Sequence, residues 1–371
     1  MMQNATPHVT RCFFGCNSAD GFKTFFDFLP SLDNARIIIV KGGPGTGKST
    51  FIGSIGNAFA DLGYDLEYQH CSLDPESYDA VVIPEIRAVV VAATGHHVFD
   101  PRNPGAVDEI LNLGEYWDAD AIRPHRQAIM AVNEASDRKF RKVYRVLKAA
   151  RLLLGNVEEV HAARRDPQKL DAIVKDVAGI LPAAGNPERY GAARHAFASS
   201  ITPTGEVHTI DTVRHPDTRV VAIQGEPGSG RSLLLEKIGE EARLRGLDVE
   251  FFHRPLDPSL LEHLYLPLPD VLVTTQQDAL PDVRPLTVFT VGGEDSGEGG
   301  LSGMDLAEDK ARYADMLQEA VSILADTKTT HQQLEQYYIP NMDFDGVEKR
   351  LRQTVDVLLQ HAKDAGFAAH A

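Results

Sequence analysis

Residues 36–50 read Arg-Ile-Ile-Ile-Val-Lys-Gly-Gly-Pro-Gly-Thr-Gly-Lys-Ser-Thr, a stretch that leaves the chain little conformational choice. Ile37 to Val40 form an unbroken β-branched run, which predicts a strand buried on both faces. The glycines from Gly42 to Gly47 then open onto Lys48, Ser49 and Thr50 at a helix start. The spacing G-x-x-x-x-G-K-[ST] between a strand and a helix is that of a phosphate cradle. Loop N–H groups can curl around phosphate oxygens, and the first helical turn adds unpaired donors and a positive dipole end. In this reading Gly42, Gly43, Pro44, Gly45, Thr46 and Gly47 form the cradle and Thr50 extends it into the helix. Lys48 reaches the terminal phosphates, and the Ser49 hydroxyl is placed for Mg²⁺.

The same stretch occurs twice. Residues 219–232, Arg-Val-Val-Ala-Ile-Gln-Gly-Glu-Pro-Gly-Ser-Gly-Arg-Ser, match 36–49 at an offset of 183. Without a gap, Ile55-Gly56 then pairs with Ile238-Gly239, His70 with His253, and Leu73-Asp74-Pro75 with Leu256-Asp257-Pro258. Backwards, Phe14 to Asp27 has a counterpart in Phe197 to Asp211 with one extra residue. Forwards, Val157-Glu158 and Asp166 pair more weakly with Leu334-Glu335 and Asp343. A repeat of this length marks a tandem duplication, here with a boundary near residue 190. Residues 1–190 carry the intact loop. Residues 191–371 carry Gly225, Gly228, Gly230, Arg231 and Ser232, with arginine at the lysine position. The planar guanidinium is bulkier than an ammonium and does not set one compact charge between two phosphates. The second loop is therefore expected to be degenerate or regulatory.

Each half is read as a short helix near 19–29, a strand, the loop, a helix over 49–62 closed by Gly63, and a strand over 65–70. An apolar stretch over 80–83 breaks at Pro84, and a fully apolar strand spans 87–93. Long helical patterns follow over 117–182 and, in the second half, 306–338 and 345–363. Leu147, Leu152, Leu153, Val157 and Val160 suit one apolar helix face. The glycine- and acid-rich segment Gly292–Gly303 reads as a surface loop. Alternating strands and helices predict an α/β fold: two P-loop NTPase cores in tandem, each a parallel sheet with helices on both faces and a helical-hairpin extension. Phosphate is then expected at the carboxyl ends of the strands.

Composition bounds the partners. A net charge of −16 argues against a broad nucleic-acid footprint. No stretch approaches the roughly 20 apolar residues of a membrane helix. Residues 1–10 lack the apolar core of a signal peptide. Three cysteines, an odd number, point to a reducing cytoplasm. Cys12, Cys16 and Cys71 complete no tetrahedral set and read as buried thiols.

Hydrolysis at such a loop ordinarily uses an acid at the end of the neighbouring buried strand. The strand ending Ala92-Ala93-Thr94 has none. Asp74, repeated as Asp257, is the preferred catalytic carboxylate, and Asp100 is the second choice. His70 and His253 read as strand-end histidines satisfied by backbone, and His96–His97 as a turn pair near the phosphate rim. The basic run Arg138, Lys139, Arg141, Lys142, Arg145, Lys148 and Arg151 reads as a solvated face, a lid over phosphate, or a dock for an acidic partner, nucleic acid or the acidic second half of the chain included.

The chain resembles a little-characterised family of bacterial ATPase-like proteins with two P-loop halves. The resemblance rests on residues 41–50, 81–85, 100–107 and 112–118, and on 225–230 and 337–344 in the second half. It implies nucleotide binding. The chain departs from the family at Arg231, where lysine is usual, and near Ala92, where an acid is usual. The expectation is thus a cytoplasmic ATP-binding protein that slowly hydrolyses Mg-ATP at the first loop. The alternatives are a small-molecule or nucleotide kinase with Asp74 as base, and a non-catalytic nucleotide-sensing module. Neither a protein partner nor an acceptor is specified by the sequence.

Overall fold

The computed structural model describes residues 6–28, 36–93, 100–182, 188–292, 303–364 and 366. In the first half β1 (Val9–Cys12) precedes a hairpin of β2 (Gly15–Ser18) and β3 (Gly21–Thr24). Then come β4 (Arg36–Lys41), α1 (Lys48–Ala60), β5 (Leu66–His70), β6 (Tyr78–Ile83), β7 (Ala88–Ala92) and β8 (Asp108–Asn112). The helices α2 (Ala119–Ile122), α3 (Arg126–Ala162) and α4 (Pro167–Ile180) follow. The second half has β9 (Ala193–Ala196), β10 (Ser199–Thr202), β11 (Gly205–His208), β12 (Arg219–Gln224) and α5 (Arg231–Leu244). It continues with β13 (Val249–His253), β14 (Leu261–Leu266), β15 (Val271–Thr274), β16 (Thr287–Thr290), α6 (Gly303–Tyr338) and α7 (Phe344–Asp364). The segment between Gly292 and Gly303, and His96–His97, lie outside the described residues.

The fold is α/β, with the same six-stranded sheet built twice among the described residues: β1-β5-β6-β7-β4-β8 and β9-β13-β14-β15-β12-β16. Both sheets are mixed, which corrects the expectation of parallel ones. β6 runs antiparallel to β5 and β7, as β14 does to β13 and β15. The reason is local. Pro84 ends β6, and Arg87, at φ +49, donates its N–H to Pro84 O and turns the chain directly into β7. A parallel neighbour would need a crossover of a dozen or more residues, for which the chain has no room here.

Alternation along the strands then separates two faces. Ile37, Ile39, Val89 and Val91 share a core with Phe252, Tyr265, Val220 and Leu272 of the second sheet. Ile38, Val40 and Val90 face the other way, onto α1 and α7. Val221, Ile223, Val271 and Val273 likewise face α5 and α4. Each sheet thus has helices on one face and the other sheet on its second face, not helices on both. The outer helices are exchanged between halves: α7 covers the first sheet, and α4 covers the second. Val347 and Leu358 of α7 are buried there, and a buried side chain of that size contributes about 1.5–3 kcal/mol.

A pseudo-two-fold axis relates the halves. Phe13 N–H donates to Phe197 O and Phe197 N–H donates to Phe13 O, both at 2.9 Å. A residue bonding its own counterpart is what a two-fold contact produces. Phe13, rather than Phe14, is therefore the partner position of Phe197. The lead-in is a β-hairpin followed by a 3₁₀ turn at Phe26–Phe28, not the helix expected near 19–29. Gly21, at φ +97 after Asp20, makes the reversal that breaks the helical pattern.

α3 and α6 pack along one another in opposite directions. On α3 the buried seam is Phe140, Val143, Leu147, Ala150, Leu154 and Val157, whose three–four spacing is that of a coiled coil. Leu152 is 68% exposed and lies off this seam. The basic run partly zips onto acidic α6, with Lys139–Asp326 at 2.7 Å and Lys142–Glu319 at 3.3 Å. Among the described residues no helix is long and apolar enough to cross a membrane.

Candidate functional site

β4 delivers the first glycine loop to the sheet edge and α1 begins at Lys48. Gly45 and Gly47 take φ +69 and +85, a region that a side chain disfavours. Lys48 Nζ folds back and donates to Gly43 O at 2.6 Å and Gly42 O at 3.1 Å. Thr46 is buried beneath the loop, its hydroxyl donating to Gly43 O at 2.9 Å. Ser49 Oγ accepts the Tyr78 N–H at 2.8 Å, tying the helix start to the first residue of β6.

A cavity of about 870 Å³ opens over this loop, lined by Gly42 to Gly45 and Gly47 to Thr50. Its roof comes from α3 and from the exchanged part of the second half. Glu335, Ile339 and Phe344 line the cavity. Tyr338 and Trp117 sit over Gly43, and Ile339 over Gly45.

Burial lowers the Lys48 pKa to about 8, against support from Asp79, Cys71 and Glu335. Asp79 also lines the cavity, an acid that sequence reasoning did not consider. Ala80 pairs with Val91 across β6 and β7, so Asp79 falls opposite Ala92, where a strand-end acid was sought and not found. Because β6 is antiparallel, its beginning lies at the same sheet edge as the ends of its neighbours. The counterpart Glu262, beside Thr275, repeats the arrangement, with Leu261 N–H donating to Ser232 Oγ at 2.7 Å. An acid in both halves at the common offset was the available signal.

Asp74 lines the same cavity, and both of its carboxylate oxygens are bonded. Its Oδ1 meets Lys328 Nζ at 2.8 Å and its Oδ2 accepts the Ser77 hydroxyl at 2.6 Å. Burial alone would raise its pKa, and these bonds outweigh it and hold the carboxyl below its usual value. The twin Asp257 meets Arg151 Nε at 2.6 Å, so each Asp is clasped by the long helix of the other half. Asp100 does not line the cavity and pairs with Lys41 at 3.6 Å. His70 and His253 each bond a backbone carbonyl through Nδ1, Pro75 O at 2.5 Å and Pro258 O at 2.6 Å. Cys12, Cys16 and Cys71 are free thiols.

The second loop repeats the backbone form, with Gly228 at φ +87 and Gly230 at φ +107. Its cavity is much smaller, about 270 Å³, and lined by Gly228, Gly230, Arg231 and Ser232. Arg231 Nη1 donates to Thr275 O at 3.1 Å instead of folding back as Lys48 does. The end of α3 presses on the loop so closely that a Cβ on Gly228 would stand 2.1 Å from Glu158 O. Gly225 opens the second loop as Gly42 opens the first, both at φ +156. Comparison with protein-family models, with curated proteins and with solved structures found no match to this chain.

Proposed function

We propose that the chain binds Mg-ATP at the first glycine loop as a P-loop cradle and hydrolyses it slowly, with the second loop degenerate or regulatory. One observation carries the reading: Lys48, Ser49 and Asp79 converge in a cavity of about 870 Å³, within the range of small-molecule sites. The resemblance to two-P-loop bacterial proteins supports the same assignment, and the free thiols favour a reducing cytoplasm.

The residues fit a metal–triphosphate ligand. Lys48 Nζ occupies itself with two loop carbonyls that phosphate oxygens would replace, and Asp79 supplies the carboxylate beside the Ser49 hydroxyl. Mg²⁺, when bound, screens the charge that develops between the β- and γ-phosphates. Ser49 and Asp79 would hold it, Asp79 through water. Lys48 moves from the loop carbonyls to the terminal phosphates, and its charge favours the transition state. Glu335, which lines the cavity from the second half, would orient the attacking water. Ile339 and Phe344 limit solvent entry. Phosphate release from Mg-ATP by wild type and by Lys48→Ala is the direct test, and equal rates would sink the proposal.

A second outcome follows from the Lys48 pKa of about 8. Below that pH the amine is charged and the loop can take phosphate. Above it the empty site loses the charge, so Mg-ATP affinity should fall about fivefold between pH 8 and 9. The folded pKa lies below the usual 10.5, so the empty protein should gain stability as pH rises through that window. Titration calorimetry and melting curves against pH check both, and Lys48→Met should show neither.

The cavity also reaches Asn133, Ser136 and Asp137 on α3. That polar wall favours one other reading, transfer of the phosphoryl group to a small hydroxyl acceptor. ADP production would then stay near zero until the acceptor is added. Tight Mg-ATP binding without turnover under any condition would instead leave a nucleotide-sensing module.

A further inference from the structure

The second loop is usually the kind of element one dismisses once its lysine is gone. Its surroundings have changed with it, and in one direction. Through the duplication Arg231 stands for Lys48, Arg254 for Cys71, Arg151 for Lys328 and Arg165 for Met342. All of these arginines line the one small cavity. Glu158 bridges two of them, meeting Arg151 Nη1 at 2.9 Å and Arg254 Nη1 at 3.0 Å. Arg165 Nε donates to Gly228 O at 2.6 Å.

Arg231, like Arg165, has no such carboxylate partner. Among the described residues no carboxylate lies within ion-pairing distance of Arg231, and its one hydrogen bond goes to the Thr275 carbonyl. Burial, and then the neighbouring Arg254 cation, disfavour its charge and lower its pKa. Glu262, the nearest acid by sequence logic, is occupied by the Ser199 hydroxyl at 2.5 Å and by Gln276 Nε2 at 3.0 Å. Glu236 also lines the cavity, and burial raises its pKa. A half-buried guanidinium beside the N–H groups of a glycine loop is a fork made for a planar pair of oxygens. The size sets the rest. A volume of about 270 Å³ falls below the range of nucleotide-sized pockets, and the end of α3 packs against Gly228 at the rim.

We propose that the second pocket is a site for a compact tetrahedral oxyanion, either orthophosphate or the phosphate end of a small ester, and not for a nucleotide. Arg231 and the loop N–H groups hold the oxygens. Glu158 keeps Arg151 and Arg254 in place around them. The site is independent of turnover at the first loop.

The test uses the full chain with Lys48→Met, which silences the first loop. Calorimetric titration with orthophosphate and with glycerol 3-phosphate should each be tried, and the tighter of the two identifies the source. One saturable site is expected, and ATP should displace its ligand at least about tenfold more weakly. Arg231→Met should weaken binding about tenfold or more, the loss of a charge-assisted hydrogen bond. Arg254→Gln gives the same reading should Arg231→Met fail to fold, which melting curves will show. The proposal is overturned if the folded Lys48→Met chain takes up neither small phosphate, if both arginine variants bind as well as their parent, or if ATP displaces the ligand more tightly than the small phosphates bind.

Discussion

Asp79→Asn should lower Mg-dependent phosphate release from ATP by about 10²- to 10³-fold, with the fold retained. Asparagine has the same shape, so β6 and its pairing with β7 stay as they are. What is lost is a negative charge beside Ser49 and Lys48, the first among the groups that sustain the Lys48 ammonium against burial. Asp74→Asn is expected to cost less than about tenfold, because that carboxylate is already paired with Lys328 and the Ser77 hydroxyl. Steady-state rates of the two variants at low and at saturating Mg²⁺ separate the cases. A larger loss from Asp74→Asn than from Asp79→Asn would return the acid to the residue that the sequence alone favours.

Gly228→Ala should destabilise the chain by about 3–5 kcal/mol, and Gly45→Ala by only about 1–2 kcal/mol. The two positions are counterparts and both have positive φ, at +87 and +69. That strain is common to both and costs on the order of 1 kcal/mol. The difference lies in what the new methyl group meets. At Gly228 it meets the main chain of α3, with Glu158 O at 2.1 Å and Glu158 Cα at 2.5 Å. A carbonyl inside a helix moves only if the helix moves. At Gly45 it meets Ile339 Cγ1 at 2.7 Å, the side chain of a residue that is itself 44% exposed and can swing aside. Melting temperatures should fall by about 5–10 °C for Gly228→Ala and by a few degrees for Gly45→Ala. Equal shifts would mean that α3 does not bear on the second loop.

Much of this architecture can be read from residues 36–50 and their repeat. The strand, the loop and the helix start at Lys48 lie where their chemistry puts them, and the long helical patterns after residue 117 are long helices. Three things were not legible. An unbroken apolar run such as Val89-Val90-Val91 is the same whether a strand is covered by helices or by another sheet, so the face-to-face sheets left no trace in the pattern. The direction of β6 depended on a single residue, Arg87, taking positive φ after Pro84, a conformation that arginine does not advertise. Asp79 was hidden for that reason: with β6 assumed parallel, its beginning would lie at the wrong edge of the sheet. The exchange of α4 and α7 was also invisible, since an amphipathic stripe says that a helix has a partner and not which one.

That exchange bears on how the molecule is made. The cradle at Gly42–Ser49 emerges early from a ribosome, but Glu335, Ile339 and Phe344, which roof it, are synthesised far later. At about 5–20 residues per second the first sheet waits many seconds with the face that α7 covers open to solvent. Neither half can be finished before the other has been translated, and contacts so distant along the chain slow the final docking. A nascent chain therefore carries the glycine loop well before the chamber above it, which closes only once residues 335–344 have been made.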